Sequence, residues 1–193
     1  MKVMKVMKIM KIGGGKFRGM HIEAPSGRKT RPTGGRLKKS LFDILAPRLP
    51  DARVLDLFAG AGALGLEALS RGASHVTFVE RNRAAANAIR KNLERLQLTQ
   101  QAELLQRDAE SAINFLAGGH EAFDLVLLDP PYRADTHASL IQKIGAAALA
   151  KPGGLVILEH HHKTPLADSY AGLAKVREVR AGESCLTFFE AAV

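Results

Sequence analysis

Two short segments carry residue types whose spacing could do chemistry. The first is Asp56-Leu57-Phe58-Ala59-Gly60-Ala61-Gly62-Ala63-Leu64-Gly65. Gly60, Gly62 and Gly65 satisfy G-x-G-x-x-G, and Glu80 lies twenty positions after Gly60. That is the spacing of a dinucleotide site, where glycines admit a ligand close to the backbone and an acid accepts from ribose hydroxyls. The second is Asp129-Pro130-Pro131-Tyr132, directly after an apolar run. Two prolines fix their own φ angles and lack N–H donors. The Pro130 carbonyl and the Asp129 carboxylate then form two acceptors aimed at one point, which suits the exocyclic NH2 of a nucleobase. Tyr132 offers a flat face for stacking, worth roughly 1–3 kcal/mol per base.

The glycine segment admits two cofactors. An NAD-type dinucleotide fits the glycines and Glu80. S-adenosylmethionine fits them equally, and Asp56 favours it. A pyrophosphate beside that carboxylate would be repelled, whereas a sulfonium with an α-ammonium group would be attracted. The tetrad points the same way. An aromatic amine is a poor nucleophile because its lone pair is delocalised. Accepting from both its N–H groups favours a more tetrahedral nitrogen and frees the lone pair, so the protein mainly orients the reactants. The plainer readings are a tight strand–helix turn for the glycines and a strand-ending turn for the tetrad. The acid at the matching distance and the presence of both motifs weigh against them.

The elements that position these motifs follow from hydrophobic period. From Arg53 onward strands alternate with helices, which predicts a parallel sheet covered by helices. Strands are expected at 54–57, 75–79, 102–105, 123–128 and 155–158, with helices at 64–70, 82–96, 111–116 and around Leu140–Ala148. Residues 175–180 and 185–190 predict an antiparallel hairpin about Gly182. Both motifs thus fall at the C-terminal ends of strands, where such sheets bind ligands. Upstream, Met20, Ile22 and Ala24 alternate as a short strand, and Leu37, Leu41, Phe42 and Leu45 follow helical spacing up to Pro47.

Charge is unevenly placed. The 193-residue chain has net charge +9, yet residues 1–39 hold 12 of its 28 Lys and Arg and a single acid, Glu23. A localised basic segment on a nearly neutral body suits a phosphate-rich polymer. The Met-Lys-Val/Ile triplets of residues 1–12 match no regular element, and Met4, Met7 and Met10 are each possible start positions. Residues 1–9 are therefore expected to be a mobile tail, 10–46 a basic RNA-binding extension and 47–193 the catalytic domain. The one cysteine, Cys185, excludes an internal disulfide framework and reads as a core residue. No apolar run approaches the ~20 residues of a membrane span and no signal-like stretch is seen, so the cytoplasm is the expected location. Glu159-His160-His161-His162 invites a metal, but consecutive residues at a strand end point in alternating directions. A polar loop and no metal are expected.

Together the motifs resemble the RsmD family of bacterial 16S rRNA guanine-N2 methyltransferases. The resemblance rests on Gly14-Gly15-Lys16-Phe17-Arg18-Gly19, Arg31-Pro32-Thr33, the run Leu55–Gly72, Phe78-Val79-Glu80 and Asp129–Tyr132. It implies an α/β, Rossmann-like class I S-adenosylmethionine-dependent methyltransferase fold. That fold has a mostly parallel seven-stranded sheet with an antiparallel C-terminal hairpin, preceded here by the short basic hairpin and helix. It implies a guanine of the small-subunit head as substrate, in assembling 30S particles, with S-adenosylmethionine as cofactor and a monomeric, membrane-free enzyme. Carried over residue by residue, the cofactor would touch Arg31, Thr33, Asp56, Phe58, Ala59, Gly60, Gly62, Leu64, Glu80, Arg81, Asp108, Ala109 and Asp129. Asp129, Pro130, Pro131 and Tyr132 would be catalytic. Lys16, Arg18, Arg28, Lys29 and Arg36 are the RNA-backbone candidates. The chain departs from the family pattern at Gly35 and Lys39, where acids are usual. Three rivals remain open: an adenine-N6 methyltransferase, an NAD-dependent oxidoreductase and a catalytically silent RNA-binding protein.

Overall fold

The computed structural model describes residues 8–24, 33–130 and 134–193. Strands β1 (Lys8–Lys11) and β2 (His21–Ala24) pair antiparallel as a separate two-stranded sheet. Helix α1 (Thr33–Leu45) leads into the main sheet. The sheet is built from β3 (Arg53–Asp56), β4 (His75–Val79), β5 (Ala102–Leu105), β6 (Phe123–Leu128), β7 (Ala150–His161), β8 (Ser169–Tyr170), β9 (Leu173–Ala181) and β10 (Ser184–Ala191). Helices α2 (Ala63–Ser70), α3 (Arg83–Arg95), α4 (Ala109–Gly118) and α5 (Ala134–Ala146) connect the parallel strands.

Strand order is β5-β4-β3-β6-β7-β10-β9-β8. The strands β3 to β7 run parallel, and β10 inserts antiparallel between β7 and β9. This is the Rossmann-like α/β fold expected, with two adjustments. The two-residue β8 adds an eighth strand at the edge, too short to show any alternation in sequence. Strand β7 begins at Ala150 rather than Leu155, because Lys151-Pro152-Gly153-Gly154 is absorbed as an irregularity opposite Phe123–Leu125 instead of forming a free turn.

Alternation along each strand divides the core into two layers. Val54, Phe78, Leu127 and Ile157 face α1, α2, α3 and the small hairpin, packing against Leu37, Phe42, Leu66 and Ile89. Leu55, Val79, Leu128 and Leu158 face α4 and α5, packing against Ile113, Leu116, Ile141 and Ile144. The N-terminal segment shares the first layer through Ile12 and Ile22, both about 1% exposed. Strand β1 starts at Lys8, two residues inside the stretch expected to be a tail.

Polar groups fix that segment in place. Ser70, at the end of α2, donates through Oγ to the Gly14 carbonyl (2.6 Å) and accepts from the Phe17 amide (2.9 Å). The Lys16 amide donates to the Ser70 carbonyl at 2.7 Å. Gly15 has φ +74°, and a Cβ there would stand 1.8 Å from the Ser70 carbonyl oxygen, so only glycine allows this approach. On α3, buried Asn92 pairs with both backbone groups of Glu23 at 2.9 and 3.0 Å.

Candidate active site at the C-terminal edge of the sheet

Loop and acids are positioned by neighbouring strand ends. Asp56 closes β3, and the chain then turns through the glycines into α2. Gly62 caps α2 at φ +82°, a left-handed conformation that glycine adopts without steric cost. Asp56 is 1% exposed. Its Oδ2 accepts from the Gly65 amide at 3.0 Å, while Oδ1 is buried without a hydrogen-bond partner among the described residues. Burial raises its pKa to about 7, with Asp129 and Glu80 adding to the rise; the Gly65 amide and Lys38 oppose it. Glu80, just past β4, accepts from the Gly60 amide at 2.8 Å through one oxygen and from the Asn82 amide at 2.7 Å through the other. It braces the glycine loop from the next strand, and each oxygen keeps a second lone pair for a ligand.

Four carboxylates line this edge. Strand alternation puts Glu80, Asp56, Asp129 and Glu159 on the face shared with Phe78, Val54, Leu127 and Ile157. Glu80 and Asp129 come directly after β4 and β6, Asp56 closes β3 and Glu159 lies within β7, and these four strands are neighbours in the order β4-β3-β6-β7. Asp56 pairs in register with Leu127, so Asp129 stands two residues farther out. Leu128 pairs with Leu158, so Asp129 and Glu159 are level. Asp129 is half-buried and Pro130 buried. Burial, then the charge of Asp129, raises the Glu159 pKa to about 7.

The other expected site residues fall in different places. Phe58 is half-buried and packs in the second layer, and Ala59 is buried with its amide donating to the Val79 carbonyl at 3.0 Å. Leu64 is half-buried and Arg81 exposed beside the loop. Asp108 caps α4, accepting from the Ser111 amide at 3.0 Å and its hydroxyl at 2.6 Å, with half-buried Ala109 next to it. Thr33 begins α1. Arg28, Lys29, Arg31, Pro131 and Tyr132 lie outside the described residues.

The basic candidates separate. Lys16 and Arg18 are exposed on the loop held by Ser70, at the far end of α2. Eight helical residues span about 12 Å, so these side chains are not beside the glycine loop. Arg36 is exposed on the first turn of α1, in a groove of about 620 Å³ shared with Lys39, Asp43 and Arg177. The departure at Lys39 makes a solvent-facing ion pair with Asp43 at 3.2 Å, and Gly35 faces open space.

Sequence reasoning passed over the polar core between the basic segment and α2. Glu67 is 1% exposed; it pairs with Lys38 (3.1 Å) and Arg71 (2.8 Å) and accepts from the Gly13 amide (2.7 Å). Burial opposes its charge, but these donors together hold its pKa below the ordinary value. Lys38 also donates to the Ala63 carbonyl at 2.8 Å, tying α1 to the first residue of α2. No local period marks these residues, because their partners are distant in sequence.

Of the three histidines expected in a polar loop, only His162 lies in a turn. His160 and His161 continue β7, since Cys185 and Ser184 pair with them. His160 is buried, with Nε2 2.7 Å from Thr187 Oγ1 and Nδ1 2.9 Å from the His161 carbonyl. Cys185 is 1% exposed in the core, and burial raises its pKa. Among the described residues no helix is long and apolar enough to cross a membrane.

Known proteins share this fold. Residues 10–190 match the family model described as conserved hypothetical protein 95. The ribosomal RNA small subunit methyltransferase D of Haemophilus influenzae is 37% identical over 155 residues, 79% of each chain. The solved structure of yhhF from Escherichia coli superposes with TM-score 0.85 at 33% identity, covering 96% of this chain and 99% of that one. The Thermus thermophilus 16S rRNA N2 G1207 methyltransferase RsmC, solved with AdoMet and guanosine, shares the fold at 22% identity and TM-score 0.71, covering 96% of this chain and half of that one. With the family model spanning nearly all of it and the basic segment built into its core, the chain belongs to the conserved hypothetical protein 95, or RsmD, family.

Proposed function

We propose that this chain is an S-adenosylmethionine-dependent RNA methyltransferase acting on the exocyclic N2 amine of a guanine in small-subunit ribosomal RNA. The substrate is the assembling 30S particle, and the enzyme works as a cytoplasmic monomer. One observation carries the reading: a glycine loop adjoins a row of carboxylates whose deepest member, Asp56, has a buried oxygen without a partner. Such a row repels a pyrophosphate and attracts a cation, which disfavours a nicotinamide dinucleotide. A sulfonium ligand carrying an α-ammonium group fits that donor set. Family membership and the relatives' names support the same activity.

The residues take distinct roles. Asp56 and the backbone of Ala59–Gly62 receive the methionine end, with Arg31 and Thr33 folding over it and Phe58, Leu64 and Arg81 flanking it. Glu80 accepts from the ribose hydroxyls, and Asp108 with the Ala109 amide borders the adenine. S-adenosylmethionine supplies, when bound, a methyl group already activated on sulfur. Asp129 and the Pro130 carbonyl hold the target amine, drawing its nitrogen toward a tetrahedral shape and exposing its lone pair. Tyr132 stacks on the flipped base, Pro131 stiffens the turn, and unstacking the base costs a few kcal/mol. The proton released from the amine passes to Asp129 or water. Arg28, Lys29 and Arg36 contact the RNA backbone, while Lys16 and Arg18, at the far end of α2, serve a stretch away from the glycine loop.

The test is methyl transfer from labelled cofactor to 30S particles lacking the modification, compared with naked RNA, DNA and mature subunits. Asp129→Ala should abolish transfer, at least 100-fold by the scale of lost transition-state contacts, with cofactor affinity largely kept. Normal turnover by that variant would remove the proposed grip on the amine.

A further inference from the structure

Glu159 is the one carboxylate of the edge to which the mechanism gives no task. It is half-buried, and among the described residues no hydrogen bond or ion pair satisfies it. Its neighbour on β10 is Leu186, an apolar residue of the core. On the other side, directly after β6, stands Asp129, level with it and on the same face by continuation of the Leu128–Leu158 pairing. Adjacent strands lie about 4.8 Å apart, so the two carboxylates stand within the span of one base edge. Like charges side by side and partly desolvated are unfavourable. A ligand that donates to Glu159 would relieve the cost on its side of the pair.

Resting on the guanine-N2 reading above, we infer that Glu159 reads the target base: its carboxylate accepts the guanine N1–H while Asp129 and Pro130 hold the N2 amine. Guanine presents N1–H and N2–H2 side by side, both donors. Adenine presents its N6 amine beside N1, which is an acceptor. With the adenine amine in the same grip, the ionised Glu159 would face a lone pair, and that contact would be repulsive. The second carboxylate thereby separates the two exocyclic amines that an Asp-Pro-Pro turn alone would accept equally. A site built to receive a polar group rejects a ligand lacking it, because its own buried atoms are left unpaired.

The experiment uses the full chain and small-subunit RNA reassembled into particles with the target nucleotide either guanosine or 2-aminopurine ribonucleoside. The analogue keeps the amine but carries an unprotonated N1. Products are identified as nucleosides by mass spectrometry. Wild type should methylate guanosine and discriminate against the analogue. Glu159→Gln should lose about 10- to 100-fold on guanosine, the range for losing a hydrogen bond to a charged group. It should gain on the analogue, because the amide can donate to N1. Glu159→Asp should keep the wild-type preference at reduced rate. Cofactor affinity and melting temperature report on folding of each variant. An unchanged preference ratio in a folded Glu159→Gln protein, with wild type still producing N2-methylguanosine, overturns this inference alone. Absence of N2-methylguanosine from the wild-type product overturns the guanine reading and the inference with it.

Discussion

Two carboxylates on the same face of the sheet, Glu67 and Asp56, are each 1% exposed, yet they are treated in opposite ways. Glu67 has two cations and a backbone amide around it. Asp56 has one amide on one oxygen and nothing on the other. Their pKa values move apart accordingly, Glu67 down and Asp56 up to about 7. A buried charge fully paired within the chain is a fastener between elements. A buried charge left half paired is a cost that only a ligand offsets. The pair shows that burial alone does not identify a site; what matters is which lone pairs the fold leaves open.

Breaking the fastener should have the largest effect on stability. Glu67→Ala strands Lys38, Arg71 and the Gly13 amide, and removing one partner of a buried pair costs about 3–5 kcal/mol. For a domain of this size that is a fall of roughly 6–20 °C in melting temperature, with faster amide exchange at Gly13. An unchanged melting point would mean that the basic segment is held by its apolar contacts alone.

The opposite is expected at Asp56. Its folded pKa lies above the ordinary 3.8, so its contribution to stability is full below about pH 4 and is lost as pH rises through about 7. Glu80 and Asp129 reinforce this loss, while Lys38 and the Gly65 amide moderate it. Asp56→Asn should therefore melt higher than wild type without cofactor. The gap should widen from pH 5 to pH 8, reaching roughly 2–8 °C, while cofactor affinity falls. A gap that stays constant with pH would show that Asp56 is already ionised in the folded chain.

The smallest effect sharpens the same contrast at the surface. Arg36→Gln should lower RNA affinity and reduce the slope of log affinity against log salt by about 0.7–0.9, one phosphate contact. Serine at both Lys16 and Arg18 should change turnover less, because their loop sits at the far end of α2. An effect larger than that of Arg36→Gln would move the RNA path toward the hairpin.

Much of the framework was readable from local pattern. Alternating runs locate the strands, and the glycine loop and Asp129-Pro130 lie at neighbouring strand ends on one edge, as their positions after apolar runs imply. What escaped depends on contacts between distant residues. Lys38, Glu67, Ser70 and Asn92 look like ordinary surface polar residues of helices until the hairpin lies on them. The histidines seemed to end a strand because the apolar run stops there, yet β7 continues wherever β10 offers a partner. Glu159 sits in sequence with those histidines, where a polar loop is expected, whereas its register beside Asp129 is its distinguishing property.

The place of β10 in the sheet bears on how the chain is made. Residues 184–191 bond to β7 on one side and to β9 on the other. Until they arrive during synthesis, β7 presents a bare row of amides and carbonyls next to a nearly finished catalytic edge. An unprotected strand of that kind is a template for wrong partners. Truncations that remove these residues should yield aggregates rather than a smaller working enzyme.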